Sequence, residues 1–160
     1  MTENIVYAFC DGASRNNGQE FNVGAWSFIL KYPDGTTHEY SQVEFGVTNN
    51  QMELNAILKA LQTIKNKSET SVVVMSYSKY SILGITEWSK KWIMNGWKTV
   101  DNKTVKNEFY WKEILVTIKQ FKSVTFQHIK GHSGHPENEK CDMLCNQAMD
   151  KVERKQLMKG

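Results

Sequence analysis

Proline occupies only two of the 160 positions and cysteine three, and apolar runs are short throughout. Each shortage excludes a class of protein. So little proline, beside 40% hydrophobic and 23% charged residues, rules out collagen-like, linker-array and disordered chains and leaves a globular one. Cys10, Cys141 and Cys145 are an odd, sparse set without the spacing of a disulfide framework or a zinc site, so they read as reduced thiols. The longest apolar stretches, such as residues 5–10 and 72–75, fall far below the ~20 residues of a transmembrane helix. The basic, apolar and small-residue order of a signal peptide is also missing. The expectation is a soluble cytoplasmic protein without a membrane partner, and a chain of 160 residues fits a single domain over 1–160.

Charge is uneven rather than strong. The net charge is +3, yet residues 79–106 hold Lys79, Lys90, Lys91, Lys98, Lys103 and Lys106 against only Glu87 and Asp101, a local +4 (six minus two). Such a segment suggests an anionic partner.

The first third of the chain has the character of a sheet. Residues 4–11, 22–32 and 36–45 are rich in Val, Ile, Phe, Tyr and Trp, and turn-forming stretches at 12–18 and 33–35 separate them. Three consecutive antiparallel strands are predicted. From Asn50 the period becomes helical, with Met52, Leu54, Ile57, Leu58, Leu61 and Ile64 in an apolar stripe that Asn49 or Asn50 can cap. Residues 72–75, Val-Val-Val-Met, predict a strand covered on both faces. Residues 79–95 and 107–121 read as helices joined by a loop at 96–106, a stretch holding four of the five tryptophans. A fifth strand at 123–129 leads through a glycine and histidine loop at 130–135 into a last helix opening at Pro136, where proline is tolerated. The order βββαβααβα indicates an α/β chain of mixed α+β kind, with helices packed on a mixed sheet.

Three carboxylates stand at element boundaries. Asp11 is predicted to end the first strand, Glu53 to lie in the first turn of the first long helix, and Asp142 in the first turns of the last. Acidic residues at a helix N-terminus have an ordinary explanation, since they favour the helix dipole by ~0.3–1 kcal/mol. Asp11 is harder to dismiss, because a carboxylate beside Phe9 and Cys10 is costly unless paired or bound to a cation. Carboxylates that converge form a hard oxygen site suited to Mg²⁺ or Mn²⁺, able to activate water against a phosphodiester.

Several stretches then resemble one family in order. They are Tyr7-Ala8-Phe9 with Cys10-Asp11-Gly12-Ala13-Ser14, Thr48-Asn49-Asn50-Gln51-Met52-Glu53-Leu54, Gly84-Ile85-Thr86-Glu87-Trp88, Gly96-Trp97-Lys98-Thr99, Val105-Lys106-Asn107 with Trp111, and Lys130-Gly131-His132-Ser133-Gly134-His135-Pro136-Glu137-Asn138-Glu139-Lys140-Cys141-Asp142. Together they resemble type 1 ribonuclease H over nearly the whole chain. The resemblance implies the ribonuclease H-like fold with a five-stranded mixed sheet and helices on both faces. It also implies a monomer that cleaves the RNA strand of an RNA–DNA hybrid with two Mg²⁺ ions, Mn²⁺ serving as substitute.

By the same resemblance Asp11, Glu53 and Asp142 are metal ligands, and His132 assists proton transfer or product departure. Thr48, Asn107 and Asn16 match a pocket for a DNA phosphate, the Asn16 match being the weaker because this turn is shorter. Asn50 and Gln51 match contacts to minor-groove edges and RNA 2′-hydroxyls. Lys90, Lys91 and Lys98, with Trp88 nearby, match a basic protrusion that grips the DNA strand. The structural alternative is that Trp88, Trp92 and Trp111 are core residues with lysines on the wet face, and for Trp92 and Trp111 that alternative is preferred. His128 and His135 read as structural, and His38 as a surface strand residue.

One departure matters. The family has a fourth carboxylate just after the fourth strand, and here Met75-Ser76-Tyr77-Ser78-Lys79-Tyr80 places Tyr77 there, with no acid between Glu69 and Glu87 to replace it. A phenol of pKa ~10 supplies neither the charge nor the ligand of an aspartate. Three explanations stay open: a weakened enzyme, a natural non-catalytic module that still binds hybrid, or a substitution introduced to trap substrate. Glu137 or Glu139 could compensate if the last loop moves.

Overall fold

The computed structural model describes residues 4–15, 21–131 and 134–159. Five strands, β1 (Ile5–Arg15), β2 (Val23–Lys31), β3 (Thr37–Phe45), β4 (Ser71–Ser76) and β5 (Ser123–His128), form one sheet in the order β3-β2-β1-β4-β5. The β1–β2 and β2–β3 pairs are antiparallel, whereas β1–β4 and β4–β5 are parallel. The sheet is therefore mixed, as the element order indicated.

Alternation of side chains along the strands gives the sheet two apolar faces. Val6, Ala8 and Cys10 of β1 with Trp26, Phe28 and Leu30 of β2 turn to one side and meet Leu54, Ile57, Leu58 and Leu61 of α1 (Asn49–Thr63). Phe9 and Ile29 turn to the other side and meet Cys141 of the long C-terminal helix, and Val23 and Ala25 meet its Cys145 and Met149. Helices thus cover both faces. Three short segments follow β4: α2 (Lys79–Leu83), a π-helical turn at Gly84–Trp88 and α3 (Ser89–Met94). α4 (Glu108–Ile118) then packs on α1, and α5 (Pro136–Lys159) completes the chain against β1, β2 and β3.

Several boundaries differ from the sequence reading. Thr48, not Asn49 or Asn50, caps α1: its hydroxyl accepts from Gln51 N–H at 3.1 Å while the Gln51 side chain accepts from Thr48 N–H at 3.1 Å. Such a reciprocal cap is worth roughly 1 kcal/mol. Residues 12–15, read as turn, continue β1 because they pair with β2 as far as Arg15–Val23. The helix read over 79–95 runs without a gap over 79–94 but contains the π-helical turn, an irregularity that often marks functional sites. A Cβ on Gly84 would stand 2.2 Å from Trp111 Cη2, so the fully buried indole fits against that turn only because the residue is glycine. α4 is shorter than the 107–121 expected, since Asn107 takes a left-handed conformation (φ 64°) before it.

No helix among the described residues is long and apolar enough to cross a membrane. Cys10, Cys141 and Cys145 are free and buried.

Candidate active site

β1 runs past the end of β4. The last β1–β4 partners are Cys10 and Ser76, so Asp11 is the first β1 residue beyond the reach of β4, paired with Ser27 of β2 alone. Asp11 is therefore not the end of a strand, as its sequence suggested, but a mid-strand residue whose second edge opens where β4 stops. The chain passes from Ser76 into Tyr77 at that point, which brings Tyr77 beside Asp11. Ligands of open α/β sheets characteristically gather beyond such carboxyl ends.

Glu53 reaches the same place from α1. It lies in the second turn of the helix rather than the first, beyond the strongest pull of the helix N-terminus. Close packing of β1 on α1 brings it there: a Cβ on Gly12 would stand 2.2 Å from the Met52 carbonyl carbon and 2.4 Å from Glu53 N, distances only glycine permits. Gly12 N–H donates to Glu53 Oε1 across this contact. Asp142, in the second turn of α5, completes the group and lies within hydrogen-bonding reach of Asp11.

The electrostatics are those of unneutralised acids. Asp11 is 6% exposed, and its Oδ2 has no hydrogen-bond partner among the described residues. Burial, with a further push from the Asp142 charge, raises its pKa to about 7, against the pull of hydrogen bonds from Glu53 and Gly12 N–H. Burial and then the Asp11 charge raise Glu53 well above the usual carboxylate range. Tyr77 is pushed up to about 12, first by burial and then by the Asp11, Glu139 and Asp142 charges, so it stays a neutral phenol. Among the described residues no three Asp, Glu, His or Cys side chains already surround one point. The acids instead meet in pairs, Asp11 with Glu53 and Asp11 with Asp142. A buried carboxylate oxygen without a donor, flanked by two further carboxylates, nevertheless fits a hard divalent cation.

The remaining sequence candidates divide into two groups. Thr48, Gln51 and Asn107 converge, since Gln51 Nε2 donates to Asn107 Oδ1 at 3.3 Å and Thr48 caps the turn that carries Gln51. Asn50 is exposed in that turn. Lys90, Lys91 and Lys98 are exposed on the segment from α3 onward, and Trp88 is 37% exposed at its base. Trp88 joins a chain of rings through Trp92 to the core: Trp88–Trp92 centroids are 6.1 Å apart and Trp92–Trp111 centroids 5.3 Å. Trp111 is a core residue and Trp92 half-buried against it, as expected. Asn16 and His132 lie outside the described residues.

Two contributors were missed by sequence reasoning. Tyr80 accepts from Asn107 Nδ2 at 3.1 Å and so orients that side chain. Asn49 accepts from Ser14 N–H at 2.6 Å and ties the start of α1 to the end of β1. An asparagine beside the helix cap was a visible signal for the second, whereas nothing local pointed to the first.

The order β3-β2-β1-β4-β5 with helices on both faces is the ribonuclease H-like fold. The crystal structure of LC9-RNase H1, a type 1 RNase H with the type 2 active-site motif, shares it with a TM-score of 0.79 at 27% identity, covering 92% of this chain and 73% of that one. The RNase H family model matches residues 3–150. A ribonuclease H of Methylococcus capsulatus is 41% identical over 151 residues, covering 94% of this chain and 93% of the relative. One of Francisella philomiragia is 42% identical over 148 residues, covering 92% of each. The chain belongs to the ribonuclease H family, of type 1.

Proposed function

We propose that this chain is a single ribonuclease H-like domain over 1–160, monomeric and cytoplasmic, that hydrolyses the RNA strand of RNA–DNA hybrids with Mg²⁺, or Mn²⁺ in its place. The observation that carries the proposal is the buried Asp11, flanked by Glu53 and Asp142, whose Oδ2 has no donor among the described residues, in a member of this family. Asp11, Glu53 and Asp142 are the residues to hold the cation. A bound divalent ion makes water nucleophilic near neutral pH and stabilises a leaving oxygen.

The chain's own residues do the rest. Asp11 must give up its proton before it can bind a cation, and its Asp142 and Glu53 neighbours favour a cation over a second lone charge. Thr48 and Asn107, already brought together through Gln51, offer a hydroxyl and an amide to a DNA phosphate, with Asn16 as their third member. Asn50 and Gln51, in the first turn of α1, suit the 2′-hydroxyl that distinguishes RNA from DNA. Lys90, Lys91 and Lys98 neutralise phosphates, and the exposed face of Trp88 packs on sugar. His132 carries a proton to the departing product.

Tyr77 favours a second reading, a module that holds hybrid without cutting it, because a phenol kept neutral brings no charge to the site. A strand-labelled RNA–DNA hybrid incubated with Mg²⁺ and then Mn²⁺ decides between them. The enzyme reading expects metal-dependent cuts in the RNA strand alone, lost in a folded Asp11→Asn variant. Binding without cutting under both metals supports the silent module, and absence of binding refutes both.

A further inference from the structure

α5 runs beside β1 in the same direction. Cys141 Sγ donates to the Phe9 carbonyl at 3.3 Å and Cys145 Sγ to the Asp11 carbonyl at 3.7 Å, and farther along Arg15 donates to Asn146 Oδ1 at 2.8 Å, Asp150 at 2.7 Å and Glu153 at 2.9 Å. The Arg15 bonds fasten this stretch of α5 next to Ser14, whose N–H is tied to Asn49 at the start of α1. The C-terminal part of α5 therefore lies at the end of the sheet that carries Thr48, Asn50 and Gln51.

Val152 is the last residue of α5 packed against the core, and every residue from Arg154 to Lys159 is exposed. Lys151, Arg154, Lys155 and Lys159 stand on this stretch, all past residue 150, where the family match stops. Its two acids, Asp150 and Glu153, are the ones Arg15 occupies, so the local charge is +3 with Arg15 counted (five cations against two acids). Among the described residues none of the four α5 cations makes an ion pair or a side-chain hydrogen bond. Attraction to the helix C-terminus explains Lys159 alone, because that effect is confined to the last turn. Lys151, Lys155 and Lys159 are spaced four residues apart, a row of like charges that destabilises an isolated helix. An anionic partner relieves that repulsion.

We propose that the exposed end of α5 is a further phosphate-binding surface, which takes the sugar–phosphate backbone of the RNA–DNA hybrid beyond the stretch held by Thr48 and Asn107. The inference rests on the hybrid-binding reading above. At ~1.5 Å per residue, Lys151 to Lys159 spans ~12 Å. One strand of a duplex carries a phosphate every ~3.4 Å along its axis, so the surface reaches about three of them. Leu157 and Met158, 79% and 88% exposed, offer apolar contact to the sugars between.

The test measures binding of the full chain to RNA–DNA hybrids of about one and about two helical turns, ~10 and ~20 base pairs, by fluorescence anisotropy in EDTA over a range of salt. Replacing Lys151, Arg154, Lys155 and Lys159 with Gln keeps helix propensity and removes the like-charge row, so the thermal midpoint stays level or rises. A lower midpoint makes the four cations structural and overturns the proposal. On the longer hybrid the variant binds less tightly, and the slope of log affinity against log salt flattens by about 2, which is ~0.9 for each of two or three phosphates. On the shorter hybrid affinity and slope stay as they were. Unchanged affinity and slope on the longer hybrid, or equal losses on both, overturn the proposal. So does weaker binding to phosphatidylserine vesicles with no loss on hybrid, which assigns the surface to a membrane. An unaltered chain that binds neither hybrid overturns the earlier reading as well, whereas a chain that binds both and loses nothing in the variant overturns this inference alone.

Discussion

Gly12→Ala is the sharpest probe of how the fold builds the site. The added Cβ would stand 2.2 Å from the Met52 carbonyl carbon and 2.4 Å from both Glu53 N and Met52 O. All three are backbone atoms of α1, so no rotamer change can relieve the overlap, and ordinary contact requires helix and strand to separate by about 1 Å. Overpacking of this kind costs about 1–3 kcal/mol, and the rigidity of the atoms met places this variant near the upper end. The same separation breaks the Gly12 N–H bond to Glu53 and moves Glu53 away from Asp11. A misplacement of ~1 Å at a catalytic group can cost ~10²-fold in rate. Urea denaturation should therefore show a lower midpoint, and hybrid cleavage, measured in a Tyr77→Asp background, should fall by roughly that factor. A variant as stable and as active as its parent refutes the close approach and the placement of Glu53 that depends on it.

Two further perturbations address charge. Asp11 sits at about 7 in the folded protein against an ordinary 3.8, so without metal the native state keeps a proton that the unfolded chain loses. Its contribution to stability is present below about pH 4 and is lost as the pH rises through 7, a change of at most about 4 kcal/mol. Thermal melts in EDTA should show stability falling between pH 4 and pH 7, and a smaller fall in Asp11→Asn; an identical fall in both proteins contradicts the burial argument. Replacing Lys90, Lys91 and Lys98 with Gln should weaken hybrid binding most at low salt and flatten the slope of log affinity against log salt by ~0.9 for each phosphate no longer neutralised. Unchanged affinity and slope in that triple variant assign these lysines to a solvated face.

The sheet was legible because its signals are periodic. The nearly continuous apolar run of β2 and the Val72–Met75 run in β4 reflect burial on both faces, and each strand was found within a few residues of its place. What the sequence concealed was tertiary. Gly12 looks like turn chemistry, yet it is glycine because α1 presses on β1, and that packing carries β1 on to Arg15. Asn49 and Asn50 have the chemistry of caps, but Thr48 takes the role since Gln51 can reciprocate with it. Asp11 and Asp142 are 131 positions apart, and they meet because α5 packs on β1, where Cys141 Sγ donates to the Phe9 carbonyl and Cys145 Sγ to the Asp11 carbonyl. The Tyr77 departure was visible in the sequence, whereas the cavity it shares with Glu139 and Asp142 was not.

The most direct test of the carboxylate account compares the chain with its Tyr77→Asp variant on the same labelled RNA–DNA hybrid in Mg²⁺. A fourth acid at the end of β4 adds transition-state stabilisation that metal sites supply in kcal/mol rather than tenths, so RNA-strand cleavage should rise by more than about tenfold while hybrid affinity stays within about twofold. Failure of Tyr77→Asp to cleave the RNA strand at all, in a protein that folds and binds hybrid, contradicts the claim that Asp11, Glu53 and Asp142 form a hydrolytic site.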